Sequence, residues 1–436
     1  MRSTKFFLVL FMLLFAIVII SACAPDREEE TNTETNGEDT SEETKEGSSD
    51  SSDAAKPDEL TIWANDEEEQ LEAIEKLAAD YEEQNDITVN VVAKSMLEQL
   101  DELSLAGPEG RGPDLFFQPH DRIGDIVAQG LAQPLEIAEE DASGYSEASL
   151  QSVQYEFDSK TDFYGVPAVI ETYGIFYNKD IMEAPETIDD LKTSLEENTD
   201  PSNDQFGFLM RPNDLYFAYP FFKTNGGYIF GGENGSYDTT DIGLANEGAI
   251  EGGELFQSFF GNGLIPTSTT SDVIDGLFTE GKVGAVINGP WSIPSYTEAL
   301  GDSLGFVPFP DINGQEAQSL VGVKAWMVSF YSDNPEWATD LALFITNEEN
   351  QKYYFDVAGE LPTNTNALES IDNPIFSTFS QQIENGVPMP STPQMSQVWE
   401  PMNNALQFIA EGEDPSSVLP EAVEQIEINI DASGAQ

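Results

Sequence analysis

Four aromatic residues, Tyr216, Tyr219, Trp291 and Trp399, stand beside glycine, proline or polar residues and do not follow a core periodicity. An aromatic ring can cover the apolar face of a pyranose while neighbouring carboxylates and amides take its hydroxyls, so this mixture suits carbohydrate. For any single ring the alternative is an ordinary place in the core. Other chemistries have little to work with. With one cysteine and one histidine, zinc sites and disulfide frameworks are effectively excluded, and no Ser-His-Asp, Cys-His or metal-ligand spacing occurs. No cofactor and no metal are expected.

The one cysteine, Cys23, follows the apolar run Phe6 to Ile20, which itself follows Arg2 and Lys5. That layout resembles a bacterial lipoprotein signal peptide, with Ile20-Ser21-Ala22-Cys23 as the cleavage box. It implies that residues 1–22 are removed and that Cys23 carries lipid; an uncleaved N-terminal anchor is the alternative. On either reading the chain is membrane-tethered and faces the cell exterior. Residues 23–57 hold no aromatic residue and no aliphatic residue larger than Ala, so they cannot bury enough surface to offset their ordering entropy. They read as an acidic, self-repelling, disordered tether.

The formal charge is -64, from 81 acidic and 17 basic residues, and only a small part of that excess falls before Pro57. Such a surface repels nucleic acid and anionic lipid, and its self-repulsion is tolerable where salt screens it. A halophilic acidic surface facing a saline exterior is the expectation. The acids are scattered, with no Asp-x-Asp-x-Asp-Gly loop and distal Glu, which argues against a calcium store.

The elements that must position these residues read as α/β. Leu60 to Trp63 is a short strand; Leu71, Ile74, Leu77, Ala78 and Tyr81 recur at helical spacing; Ile87 to Val91 resumes a strand. A helix around Met96 to Leu105 leads through Gly112-Pro113 to a third strand, Asp114 to Phe117. This pattern writes a parallel sheet with covering helices. Val283 to Ile287 reads as a buried strand ending in Asn288-Gly289-Pro290-Trp291, where the proline can open a helix, and another helix begins near Asn334-Pro335. A folded part of this length calls for two domains.

Several short motifs recur in order: Gly112-Pro113-Asp114 with His120-Asp121-Arg122, Tyr177-Asn178-Lys179-Asp180, Thr224-Asn225-Gly226-Gly227-Tyr228 and Glu233-Asn234-Gly235-Ser236-Tyr237-Asp238. Asn288-Gly289-Pro290-Trp291, Val321-Gly322-Val323, and Met389-Pro390 followed by Pro393-Gln394-Met395-Ser396 and Trp399 continue the series. Together they make the chain similar to the maltose/maltodextrin-binding protein family, the sugar-capturing subunits of ABC importers. The resemblance implies a two-lobed, periplasmic-binding-protein-like α/β fold with discontinuous lobes, hinge segments and a central ligand cleft. The first lobe would hold residues 58–170 and 325–371, the second 171–324 and 372–436, with hinges near Ile170, Gly322 and Ile371.

The resemblance also implies roles. Asp121 and Arg122 match paired sugar-hydroxyl ligands, a carboxylate and a guanidinium that hold vicinal hydroxyls as acceptor and donor. Glu171 matches a hinge-proximal carboxylate, and Asn65 and Glu67 match polar first-lobe ligands. Where the family has a lysine beside them this chain has Glu68, and Glu67 retains an alternative reading as a solvated surface charge. Tyr216, Trp291 and Trp399 match platforms that stack on successive glucose rings, and Met389 an apolar contact at the cleft edge. Gln118-Pro119 replaces an aromatic before the His-Asp-Arg run, and Glu400 another after the last tryptophan, which bears on chain length and on linear against cyclic sugars. The expected partners are a maltodextrin-type sugar or a cyclodextrin, an ABC permease with its ATPase, and the membrane through the N-terminal lipid. The protein is expected to be a monomer at the extracellular face and not an enzyme; the alternatives are a receptor of the same build for a different oligosaccharide, and a secreted glycosidase using Asp121 and Glu171.

Overall fold

The computed structural model describes residues 55–233 and 236–433. The expected signal peptide, Cys23 and nearly all of the expected tether lie outside the described residues, as do Asn234 and Gly235 of the turn motif.

The opening is strand, helix, strand. Glu59–Ala64 buries Leu60, Ile62 and Trp63, and helix Glu68–Asn85 turns Ala73, Ile74, Leu77, Ala78 and Tyr81 to the core at spacings of three and four. The helix stops at Asp86, which takes a left-handed conformation with φ 52°. Fully burying side chains such as Leu60 or Leu77 stabilises the fold by about 1.5–3 kcal/mol each. Strands Thr88–Ala93 and Leu115–Pro119 run parallel to Glu59–Ala64 on its two sides. Asp114 ties this corner, accepting from the Thr61 amide at 2.8 Å and the Ser332 hydroxyl at 2.5 Å.

The expected helix at Met96 to Leu105 begins later, at Gln99–Ala106. The Met96 amide donates to Asn65 Oδ1 at 2.9 Å, and its carbonyl accepts from Gln118 Nε2 at 2.6 Å, so side chains take the backbone groups a helix would use. The sheet is also not wholly parallel. Strand Leu320–Val328, arriving from far along the chain, runs antiparallel to both Leu115–Pro119 and Val166–Glu171. The order is then Leu361–Pro362, Val166–Glu171, Leu320–Val328, Leu115–Pro119, Glu59–Ala64, Thr88–Ala93, with Val387–Pro388 paired to the start of the long strand.

A second sheet has the order Leu304–Val307, Gly174–Asn178, Val283–Asn288, Phe206–Leu209. Its core is aromatic: Phe306 stacks on Phe379 at 3.9 Å, and Phe176 lies against both Phe306 and Tyr296. Helix Ile188–Glu197 opens with a capping box in which the Thr187 and Asp190 side chains each bond the other's amide. Helices Leu215–Lys223, Glu247–Phe260 and Trp399–Ala410 pack in this same core.

The chain passes from the first sheet to the second within two residues, Thr172 and Tyr173. Thr172 Oγ1 donates to the Leu320 carbonyl at 3.0 Å, and the Leu320 amide donates to the Tyr173 hydroxyl at 3.3 Å. His120 joins three segments at this crossing. Its Nδ1 accepts from the Val323 amide at 3.0 Å, so Nε2 carries the proton and donates to the Met389 carbonyl at 3.1 Å. Burial pushes the imidazole pKa down, which agrees with a neutral ring.

Candidate functional site

The strand ends and turns around this crossing surround one cavity of about 560 Å³. All nine residues singled out from the sequence line it: Asn65, Glu67, Asp121, Arg122, Glu171, Tyr216, Trp291, Met389 and Trp399. A wider groove of about 1320 Å³ runs past Tyr155, Lys223, Tyr228 and Thr392, and of the nine it touches only Met389.

From the first sheet, the short turn His120–Arg122 after strand Leu115–Pro119 presents Asp121, which is 3% exposed, and the half-buried Arg122. Among the described residues the Arg122 guanidinium has only a long contact of 3.5 Å, to the Leu97 carbonyl, so it remains available to a ligand. Asn65 is partly committed, donating to Gln70 Oε1 at 2.9 Å while its oxygen holds the Met96 amide. Glu67 is exposed at the rim; partial burial raises its carboxyl pKa, and the charges of Asp66, Glu69 and Asp275 raise it further.

Glu171 ends its strand at the floor of the cavity. Its Oε2 pairs with Lys324 Nζ at 3.0 Å, and its Oε1 faces Gly322 so closely that a Cβ there would come within 2.7 Å of it and 2.6 Å of Met389 Cε. Burial pushes the Glu171 carboxyl pKa up and the Lys324 ammonium opposes this; Glu171 and Glu360 in turn raise the Lys324 pKa. The geometry is that of an ionised pair, because the buried ammonium has two carboxylates in contact.

The rings come from the second sheet's helices and turns. Strand Val283–Asn288 ends in a turn fixed by the Gly289 amide bonding Asn288 Oδ1 at 2.9 Å, and Pro290 opens the next turn. A side chain at Gly289 would displace the Trp291 ring, since a Cβ there would lie 2.1 Å from it. Tyr216 packs edge-on to Tyr173 at 4.6 Å, and its hydroxyl is buried without a partner among the described residues. Glu171, Asp214 and Asp121 all lie near enough to act on that phenol electrostatically. A buried hydroxyl left unpaired is unfavourable, by about 1–3 kcal/mol, so this one is poised to bond an incoming polar group. Trp399 begins its helix and donates its indole N–H to Asp121 Oδ2 at 3.1 Å.

Sequence reasoning missed several lining residues. Lys324, 5% exposed, is the largest omission. Its signal was present: one cation inside the apolar run Val321-Gly322-Val323 and Ala325-Trp326-Met327-Val328 must be paired if that run is a buried strand. Asp275 and the Arg211–Asp214 pair, 2.8 Å apart, also line the cavity. Asp275 is held at Oδ1 by the Tyr296 hydroxyl and by Asn288 Nδ2 at 3.0 Å. In so acidic a chain, no single aspartate stands out. The cavity thus offers fixed carboxylates, three cations, an unpaired phenol and two indoles, a set that can bond several hydroxyls and cover apolar ring faces.

The profile of the family described as bacterial extracellular solute-binding protein matches residues 76–378. The chain is 35% identical over 393 residues to the galactooligosaccharide-binding protein of Bacillus subtilis (strain 168), covering 86% of this chain and 90% of that one. It is 34% identical over 396 residues to the maltodextrin-binding protein MdxE of the same organism, covering 88% and 93%. Among solved structures it is similar to a cyclo/maltodextrin-binding protein complexed with maltotetraose, at 37% identity and a TM-score of 0.73, covering 87% of this chain and 99% of that one.

Proposed function

The chain belongs to the bacterial extracellular solute-binding proteins, and on that premise we propose that it captures a maltodextrin-type oligosaccharide and delivers it to an ABC permease with its ATPase. The observation that carries the reading is the Tyr216 hydroxyl, buried without a partner among Asp121, Glu171 and Asp214, in a cavity that also presents Trp291 and Trp399. Sugar hydroxyls would supply the missing partner, and glucose faces would lie on the indoles. A volume of about 560 Å³ falls within the range of small-ligand sites.

Site residues of the two lobes already touch across the cavity, as where the Trp399 indole N–H meets Asp121 Oδ2 at 3.1 Å. Such contacts support capture by closure of two lobes, with the hinge at the Thr172–Tyr173 crossing and its neighbours. Residues 58–170 with 325–371, and 171–324 with 372–436, remain the assigned lobes. The lipid at Cys23 and the acidic tether would keep the receptor beside its transporter at the extracellular face.

A second reading, a galactooligosaccharide receptor, is favoured by the Bacillus subtilis relative of that name. Titrating the protein with maltotriose, maltotetraose, α- and β-cyclodextrin and a β-galactooligosaccharide, read by tryptophan fluorescence, separates the two. Saturable binding of the glucose oligomers supports the main reading. Binding of the galactose oligomer alone replaces it with the second.

A further inference from the structure

The sugar reading leaves unexplained why a lysine lies almost wholly buried at the floor of the cavity. Lys324 sits where strand Leu320–Val328 changes register against Val166–Glu171, the irregularity falling between Lys324 and Ala325. A bulge of this kind re-aims a side chain, and here the ammonium ends among groups from three other segments. It bonds Glu171 Oε2 at 3.0 Å and Glu360 Oε1, and lies 5.0 Å from the centroid of the Trp291 ring. Glu360 is itself fixed: its Oε2 accepts from the Tyr354 hydroxyl at 2.7 Å, and the residue is 1% exposed.

The chain of contacts has a direction. Tyr354 holds Glu360, Glu360 holds Lys324, and Lys324 holds one oxygen of Glu171. The other Glu171 oxygen, Oε1, has no protein donor among the described residues and faces the gap left by Gly322. We propose that Lys324 is a positioning residue for the ligand site: it fixes Glu171 as a charged acceptor whose free oxygen receives a ligand hydroxyl. This rests on the sugar-binding reading and adds to it the group that makes Glu171 usable.

The groups that face Glu171 are the Lys324 cation, the Glu360 and Asp121 carboxylates and the Tyr216 phenol. Lys324 is the only cation among them. Without it, two buried carboxylates would face each other beside a third, and one must take up a proton. A protonated Glu171 loses the charge that strengthens its bond to a hydroxyl. Affinity then comes to depend on pH, weak where Glu171 is protonated and recovering as pH rises.

The test is a fluorescence titration of the full chain with maltotriose at about pH 5.5, 7 and 8.5, a range chosen to lie above ordinary carboxylate values. The parent is expected to bind with an affinity constant to within about twofold, because its Glu171 stays paired. Lys324→Met is expected to bind at least about tenfold more weakly at the lowest pH and to regain affinity as pH rises. The double variant Lys324→Met with Glu360→Gln serves if the single variant does not fold; burial and the Asp121 charge still raise the Glu171 carboxyl there, so affinity is again expected to rise with pH. Affinity matching the parent at every pH, or reduced by one constant factor at every pH, overturns the positioning role. If the parent does not bind maltotriose, the maltodextrin reading falls first, which keeps the two failures distinct.

Discussion

The indole N–H of Trp399 donates to Asp121 Oδ2 at 3.1 Å, joining a helix of the second core to the turn that follows a strand of the first sheet. Both residues line the cavity, so the bond orients the Asp121 carboxylate while leaving its other oxygen free. Trp399→Phe keeps an aromatic face and removes the donor. Sugar affinity should fall by about 1 kcal/mol, roughly fivefold, the usual net value of one hydrogen bond. Trp399→Ala should lose more, because the stacking face goes as well. Calorimetric titration of both variants checks the order.

His120 should be neutral well below its ordinary range. It is 3% exposed, accepts at Nδ1 and donates at Nε2, and protonation would destroy the bond from the Val323 amide. Because its folded pKa is lowered, the unfolded chain binds more protons below about pH 6.5, so this contribution to stability is lost as pH falls from there toward the folded value. It is the only histidine, so imidazole NMR of untagged protein reads it directly. The expected spectrum shows one Nε2–H tautomer that does not titrate near pH 6.5; ordinary titration there contradicts the assignment.

Gly322→Ala should damage binding more than folding. Its Cβ would meet Met389 Cε at 2.6 Å and Glu171 Oε1 at 2.7 Å, both ends of side chains that can shift. Overpacking of this sort destabilises by about 1–3 kcal/mol, while the displaced carboxylate leaves the position in which it would accept a ligand hydroxyl. A thermal melt compared with a maltotriose titration separates the two effects.

The opening strand–helix–strand was legible because Leu60, Ile62, Ile74, Leu77 and Tyr81 follow simple periods. Trp291 was legible because Gly289 and Pro290 mark a turn that no core ring needs. Lys324 was not, because its meaning lies in Glu171 and Glu360, distant in sequence and brought together only by antiparallel pairing and a bulge. The late start of helix Gln99–Ala106 has the same origin: Asn65 and Gln118 take the backbone of Met96 from outside the segment.

The charge of -64 predicts a salt response. Like charges on the folded surface repel, and screening shortens that repulsion from a Debye length of about 30 Å at 0.01 M salt to about 3 Å at 1 M. Melting temperature should therefore rise across that interval. A melt unchanged by salt would remove the saline-exterior reading.

If the cavity between the two sheets closes around an oligosaccharide, calorimetry of the full chain with maltotetraose, run beside Trp291→Ala, will register it. Saturable one-to-one binding by the parent is expected, with a loss of at least tenfold in the variant, about 1.4 kcal/mol. No heat and no fluorescence change with any glucose oligomer at millimolar concentration, or a Trp291→Ala variant that binds as tightly as the parent, would contradict it.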